Sequence, residues 1–424
     1  MKKLDDLIDR KKAGALIVLL IIAAAVMIFT ACEETLMLQS YKAISGAAEW
    51  RPKQTVTAGI DAGEDYIFGG YTSTFPGNPV DIDGKRAIVG SLNEGGSGEG
   101  AAYIFHLENG TWKRKSRLTG GAGDYFGYSV AISGSYAVVG AFGESGEGAV
   151  HIFKWSGSDW NEIKKIVSPA VTPEPVVFGS AVDIDGDYIV AADYGFNSNE
   201  GSAYTFYRNQ GGSENWGFQN EVRPDDTSSG DYYGCAVGIK GDYLIGGAYK
   251  QTSDFGAAYI YERSGDTWYK RETLLCPDET GTVFFGNSVA IDDTGVAVGA
   301  PGVSSVYYFK KDGTDWIDPQ KIQAAGGAAA DLFGATLSLS EEHLYISAPK
   351  YNSDTQRAVY TFFLHEGEWV QLQRFLWSDS TEGGILGSDP GVSVALAGGY
   401  AIVGLPGDDT EDTDAGAAVF LHFE

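Results

Sequence analysis

One phrase returns seven times along this chain at a spacing of about fifty residues, and no other feature restricts the fold as strongly. Its leading part reads FPGNPVDIDGKRAIVGS from Phe75, FGYSVAISGSYAVVGAF from Phe126, FGSAVDIDGDYIVAADY from Phe178 and YGCAVGIKGDYLIGGAY from Tyr233. It recurs as FGNSVAIDDTGVAVGAP from Phe285, FGATLSLSEEHLYISAP from Phe333 and PGVSVALAGGYAIVGLP from Pro390. Apolar positions alternate in SVAI and YAVVG, the period of a half-buried strand, with Asp83-Gly84, Ser133-Gly134, Asp185-Gly186 and Lys240-Gly241 as tight turns between two strands. Each copy continues through a loop into an aromatic strand such as GAAYIF or GAVHIF, and six copies add a turn and a tryptophan strand such as NGTWKRKSRL. Four antiparallel strands per repeat predict an all-β chain folded as a seven-bladed β-propeller. The 58 Gly, 24 Tyr and 21 Phe suit short strands joined by tight turns.

The tryptophans predict how the ring closes. Trp112, Trp160, Trp216, Trp268, Trp316 and Trp369 start the fourth strand of the first six copies, whereas the seventh copy ends at Glu424 without one. AEWRPKQTV, with Trp50, has the form of a fourth strand and precedes the first copy, so the N-terminal segment is expected to pair with the last blade and remove two open edges. A residue repeated at one place in every blade serves packing; Trp155 and Trp377 fall outside that pattern and are better candidates for a surface role.

FGYSVAI and FGNSVAI, followed by VGAF and VGAP, resemble the FG-GAP repeats of the integrin α-subunit propeller and of many bacterial surface proteins. The resemblance covers residues 49–424 and implies extracellular recognition or adhesion. Calcium-binding repeats of that family carry a DxDxDGxxD loop between the first two strands, because calcium takes six to eight oxygens from a flexible segment. Here that loop is a short turn, with Asp81, Asp83 and Gly84, then Asp183, Asp185, Gly186 and Asp187, and Asp292 and Asp293, so calcium is not carried over to those positions. A richer acidic loop, LPGDDTEDTDAG, makes Asp408, Asp409, Glu411, Asp412 and Asp414 the candidate site for a divalent cation, with calcium as the possible ligand.

Residues 1–31 read as a signal peptide or membrane anchor: Ala13 to Ala31 carry no charge and follow a basic segment. Phe29-Thr30-Ala31-Cys32 resembles the lipobox of bacterial lipoproteins, which implies lipidation of Cys32. The same run is long enough to stay as an uncleaved anchor with Lys11 and Lys12 on the cytoplasmic side. Either way the chain is expected to be exported and membrane-anchored on the cell surface or periplasmic side, with residues 32–48 as a tether.

The net charge of −27 disfavours nucleic acid as a partner. The five histidines (His106, His151, His343, His365, His422) fall on separate strands, none meeting another as a metal or triad pair, and no GxSxG, HExxH, Walker or dinucleotide motif occurs. A non-enzymatic module binding an extracellular protein or glycan is therefore expected, with a polysaccharide-active hydrolase or lyase as the alternative. Loops after the second strand and before the first should share one face, and Tyr194, Phe196, Tyr249, Lys250 and Tyr351 are the candidate partner-binding residues on it. Cys235, in YYGCAVGI where sibling repeats hold small residues, reads as a small buried side chain.

Overall fold

Two-residue turns with a glycine in left-handed backbone begin most blades: Gly84, Gly134, Gly186, Gly241 and Gly398 have φ between +55° and +58°. That conformation is accessible to glycine without a Cβ penalty, which is why the turn phrase is visible in the sequence. Each turn joins an inner strand to a second strand, as Val80–Asp83 to Arg86–Ser91, with Asp83 opposite Arg86.

The computed structural model describes residues 49–57, 70–71, 78–92, 94–170, 177–277, 281–325, 327, 331–350, 356–378, 391–406 and 416–424. These form seven antiparallel sheets, six of four strands and one of five. Blade 1 comprises Val80–Asp83, Arg86–Ser91, Ala101–Glu108 and Thr111–Thr119, and the next five repeat that order. The first strands of successive blades pack on one another around the axis, and Gly391–Ala397 of blade 7 packs back on Val80–Asp83 of blade 1. The fourth strand shifts register against the third in all seven blades, between Ile104 and Phe105 in blade 1 and between Pro52 and Gln54 in blade 7. Such a bulge adds twist to the outer edge of a blade.

The N-terminal strand closes the ring as expected. Trp50–Val56 pairs antiparallel with Ala417–Phe423, from Trp50 opposite Phe423 to Val56 opposite Ala418. Gly70–Tyr71 pairs with Gly391 and Val392 on the other edge of the same sheet, so blade 7 is clasped on both sides. Trp50 is fully buried, edge-on to His343 and Tyr345 of blade 6 at 5.6 and 5.1 Å.

Every other repeat tryptophan also packs on the blade before its own: Trp112 on Tyr400, Trp160 on His106, Trp216 on Tyr136, Trp268 on Tyr188, Trp316 on Tyr243 and Trp369 on Tyr308. The amide of Gln373 holds the Trp50 backbone at both ends, accepting from its N–H at 2.7 Å and donating to its carbonyl at 3.2 Å, and Gln54 repeats the arrangement on Trp112. Trp155 also belongs to a seam, half-buried 4.7 Å from the His106 ring, and Trp377 is half-buried against Phe375.

The repeat phrase itself marks a backbone contact between blades. A Cβ on Gly90 would stand 1.9 Å from the carbonyl oxygen of Gly127, and Gly140 meets Gly179, Gly247 meets Gly286 and Gly299 meets Gly334 in the same way. The glycine of one blade's second strand thus touches the glycine at or just before the start of the next blade's first strand, leaving no room for a side chain. Ser129 and Ser288 donate to the Gly179 and Gly334 carbonyls across the seam at 2.7 and 2.8 Å. Cys235 takes the serine's place: buried, its thiol lies 3.4 Å from the Gly286 carbonyl, and both it and Cys276 are free thiols.

Candidate functional site

Acidic side chains gather where the turns surround one end of the central channel. A cavity of about 330 Å³ there is lined by Asp81, Asp83, Asp183, Asp185, Asp292 and Asp293, with Lys240 among them. Their geometry is that of staples between blades. Asp81 accepts from the N–H of Ile82 at 2.8 Å and from Ile132 of the next blade at 2.7 Å; Asp183 accepts from Ile184 and from Ile239 of its next blade, both at 2.8 Å. Asp83 and Asp185 receive the turn N–H groups of Gly134 and Gly241 at 2.6 and 2.8 Å. Burial pushes the Asp183 carboxyl up to about 6, and burial followed by the charge of Asp183 raises Asp81. Both carboxylate oxygens of Asp81 and Asp183 are thus engaged by backbone, whereas Asp292 accepts from Thr294 and Gly295 through Oδ1. Among the described residues no cluster of three His, Cys, Asp or Glu is arranged to hold a metal. Asp408, Asp409, Glu411, Asp412 and Asp414 lie outside the described residues, as do Cys32 and Tyr351.

The opposite end carries the variable loops, and both loop sets do share it. Gly100, Gly148, Gly201 and Gly256, which close the loops after the second strands, form parallel bridges to Phe126, Phe178, Tyr233 and Phe285 at the start of the next blades. The loops are braced from beneath: Glu94, 2% exposed, accepts from Tyr103 at 2.7 Å and from Arg117 at 2.7 Å. Glu144 sits between His151 and Lys165 at 2.7 and 2.6 Å, and Glu200 meets Arg223 at 3.0 Å.

On this braced end aromatic side chains form a crescent over blades 2 to 5. Tyr125 stacks on Phe142 with centroids 4.9 Å apart and planes 7° from parallel, and Tyr128 meets Phe142 at 4.7 Å. The hydroxyls of Tyr128 and Tyr194 hydrogen-bond to each other. From Tyr194 the rings continue to Tyr232 at 6.1 Å, to Tyr249 at 5.5 Å and to Phe284 at 5.8 Å. The Lys250 ammonium lies 5.0 Å from the Tyr232 centroid and 5.5 Å from Tyr249, within cation–π range. Burial holds the phenols of Tyr194 and Tyr249 above the usual tyrosine range, so they stay neutral.

Three members occupy strained backbone. Tyr125, Tyr232 and Phe284 immediately precede the first-strand phrase with φ of +52°, +58° and +57°. A bulky side chain there costs about 1–2 kcal/mol relative to glycine. The turn needs only the backbone, supplied by bonds such as Tyr232 N–H to the Asn199 carbonyl at 2.8 Å. Blade 6 holds Leu332 in the same place at φ +55°, so the left-handed residue recurs with or without a ring, and in blades 2, 4 and 5 it adds aromatic surface at the loop end. Tyr125 is 37% exposed, and Tyr232 and Phe284 are half-buried over the nearly buried Tyr194 and Tyr249.

Of the partner-binding candidates, then, Tyr194, Tyr249 and Lys250 come together around Tyr232. Phe196 does not join them in the crescent: it faces the Arg223 guanidinium at 5.3 Å. Tyr125, Tyr128, Phe142, Tyr232 and Phe284 were missed. Two signals could have found all of them but Tyr128: the aromatic residue just before FG or YG, and the contrast of GAF, ADY and GAY in copies two to four with GAP, SAP and GLP in copies five to seven.

Residues 112–153, 216–261 and 268–311 match the model of the FG-GAP repeat. Each match runs from a seam tryptophan through the first three strands of the following blade, so the unit of sequence straddles the unit of structure. No curated protein matches the chain in sequence. A solved chain from the Mitotic Checkpoint Complex shares the fold with a TM-score of 0.55 at 11% identity, over 88% of this chain and 91% of that one. A protein proposed as a 6-phosphogluconolactonase from Bacteroides uniformis gives 0.52 at 12%, over 76% and 89%. Its counterpart from Bacteroides fragilis gives 0.50 at 13%, over 82% and 89%. These likenesses are of fold alone.

Proposed function

We propose that this propeller, whose seams carry FG-GAP repeats, is a non-enzymatic binding module that recognises an extracellular protein or glycan through its loop end. The observation that carries the reading is the set of three aromatic residues held at positive φ on a braced face. Rigid loops lose little conformational freedom on binding, and half-exposed aromatic rings supply contact area with hydroxyl edges, the composition of a recognition surface. At the other end of the channel Asp81, Asp83, Asp183 and Asp185 bond to the backbone of neighbouring blades, which directs the reading to the loop end.

In the same reading the module works outside the cytoplasm, attached through a lipid on Cys32 or through residues 13–31 as an uncleaved anchor. No helix among the described residues is long and apolar enough to cross a membrane, and residues 13–31 lie outside them. Metabolic labelling with a fatty acid tests the attachment: incorporation abolished by Cys32→Ser supports lipidation, and membrane association without label supports the anchor.

The functional test is retention of the full-length protein on immobilised polysaccharides and matrix proteins, with soluble products assayed in the same samples. Retention without product, weakened by Tyr125→Ala with Tyr232→Ala, supports the module. Release of oligosaccharide would instead assign a polysaccharide-active enzyme.

A further inference from the structure

Resting on the loop-end reading, we infer that the ligand is an uncharged carbohydrate chain lying along the crescent. The partly exposed members divide into two platforms, Tyr125 with Phe142, and Tyr232 with Phe284 on either side of the nearly buried Tyr249, joined through the hydrogen-bonded Tyr128 and Tyr194. A sugar ring is amphipathic in the way such a platform requires: its C–H face lies on an aromatic ring while its hydroxyls point sideways to polar partners. Polar side chains stand beside the rings, since Asp231, Asn199 and Ser229 lie in the loops next to Tyr232 and are at most partly buried; Asp231 holds the Ser228 N–H through Oδ2, and the Ser229 hydroxyl donates to the Ser198 carbonyl, its oxygen remaining an acceptor.

Charge selects within the class. The chain carries −27, and the crescent's own cation, Lys250, already lies over Tyr232 and Tyr249, while Asp124, Asp231 and Asp254 flank the aromatic positions. A polyanionic chain would meet this field unfavourably, whereas a neutral one meets no such penalty. A protein partner is the less favoured occupant, because the supporting Tyr194 and Tyr249 are nearly buried and the exposed apolar area is a narrow arc rather than the broad core of a stable protein interface.

The experiment measures mobility of the full-length protein by affinity electrophoresis in gels holding mannan, xylan or laminarin, against alginate and heparin as polyanions, with fibronectin and collagen in a parallel plate assay. The expected result is retardation by at least one neutral polymer, not by the polyanions. Tyr232→Ala should weaken it roughly tenfold and Tyr232→Phe much less, because the phenyl face is kept. Ile163→Ser, at an exposed position on an outer strand of blade 2, should leave it unchanged and serves as the control for folding. Retardation by neutral polymers that ignores Tyr232→Ala overturns the site. Retardation by polyanions alone, or by no polysaccharide, overturns the carbohydrate assignment. If fibronectin or collagen is then bound in a Tyr232-dependent manner, the loop-end reading survives without it; binding that is absent or independent of Tyr232 removes both.

Discussion

The two ends of the propeller channel are built from the same seven repeats yet use their polar and aromatic residues in opposite ways. At the turn end, Asp81 and Asp183 each hold a backbone N–H of their own blade and one of the next. At the loop end, rings contributed by blades 2 to 5 lean on one another, and Tyr125, Phe142, Tyr232 and Phe284 among them stay at least partly exposed. The difference teaches that an acidic cluster in a repeat protein is not a cation site until its oxygens are shown to be uncommitted, and that residues departing from the repeat are the better guide to function.

The strongest way to break the comparison is to remove the ring on which both ends depend. Deleting residues 49–60 takes away the outer strand of blade 7 and Trp50, whose loss alone is worth about 3–5 kcal/mol. Chemical denaturation is expected to show loss of cooperative unfolding; a deletion variant with the intact chain's midpoint would mean that the ring does not need this strand.

A smaller but still large effect is expected at the seams. Gly247→Val would place a side chain where a Cβ already meets the Gly286 carbonyl at 1.9 Å, and should cost more than about 3 kcal/mol. Gly241→Ala, with φ of +57° but nothing within 4 Å, isolates backbone strain and should cost only about 1–2 kcal/mol. Equal losses at the two positions would contradict the seam contact.

The pH dependence separates the staples from the rest of the core. The Asp183 carboxyl is raised from 3.8 to about 6, so the stability it contributes is complete below about pH 4 and is lost as pH rises through 6. Asp193, raised by burial to about 6, acts in the same direction. His343, lowered by burial to about 4, opposes them: its contribution is complete above 6.5 and is lost as pH falls through 4. Exposed pairs such as Asp225 with Lys270, where the carboxyl is lowered by that ion pair, matter only below the ordinary Asp value of 3.8. Thermal melts should therefore show the wild type gaining stability from about pH 7 to pH 5. Asp183→Asn should shrink that gain by about 1 kcal/mol, from the single pH unit between about 6 and 5 over which its carboxyl contributes. An unchanged pH slope in the variant would mean that Asp183 is not the buried staple described.

The smallest effect on stability is expected at the loop end, where Tyr232→Gly relieves the strain of φ +58° but loses the contacts with Tyr194 and Tyr249. The two terms offset each other to within about 1 kcal/mol, while retention on the ligand panel should fall. A large drop in melting temperature would make the tyrosine a packing residue and erase the contrast between the ends.

Seven blades, their hairpin turns and the closure by Trp50 were legible along the chain, because alternation, a turn glycine and a repeated tryptophan are local signals that recur. The small buried role of Cys235 was legible for the same reason, from its place in the phrase. What only the folded ring decided lies across seams, between residues some fifty positions apart: Asp81 reaching Ile132, Gly90 meeting Gly127, and Tyr194 joined to Tyr232 and Tyr249 while Phe196 turns to Arg223. The period of the chain specifies what each blade is, but which side chains stay committed to a neighbour and which remain open to a ligand depends on the packing of one blade against the next.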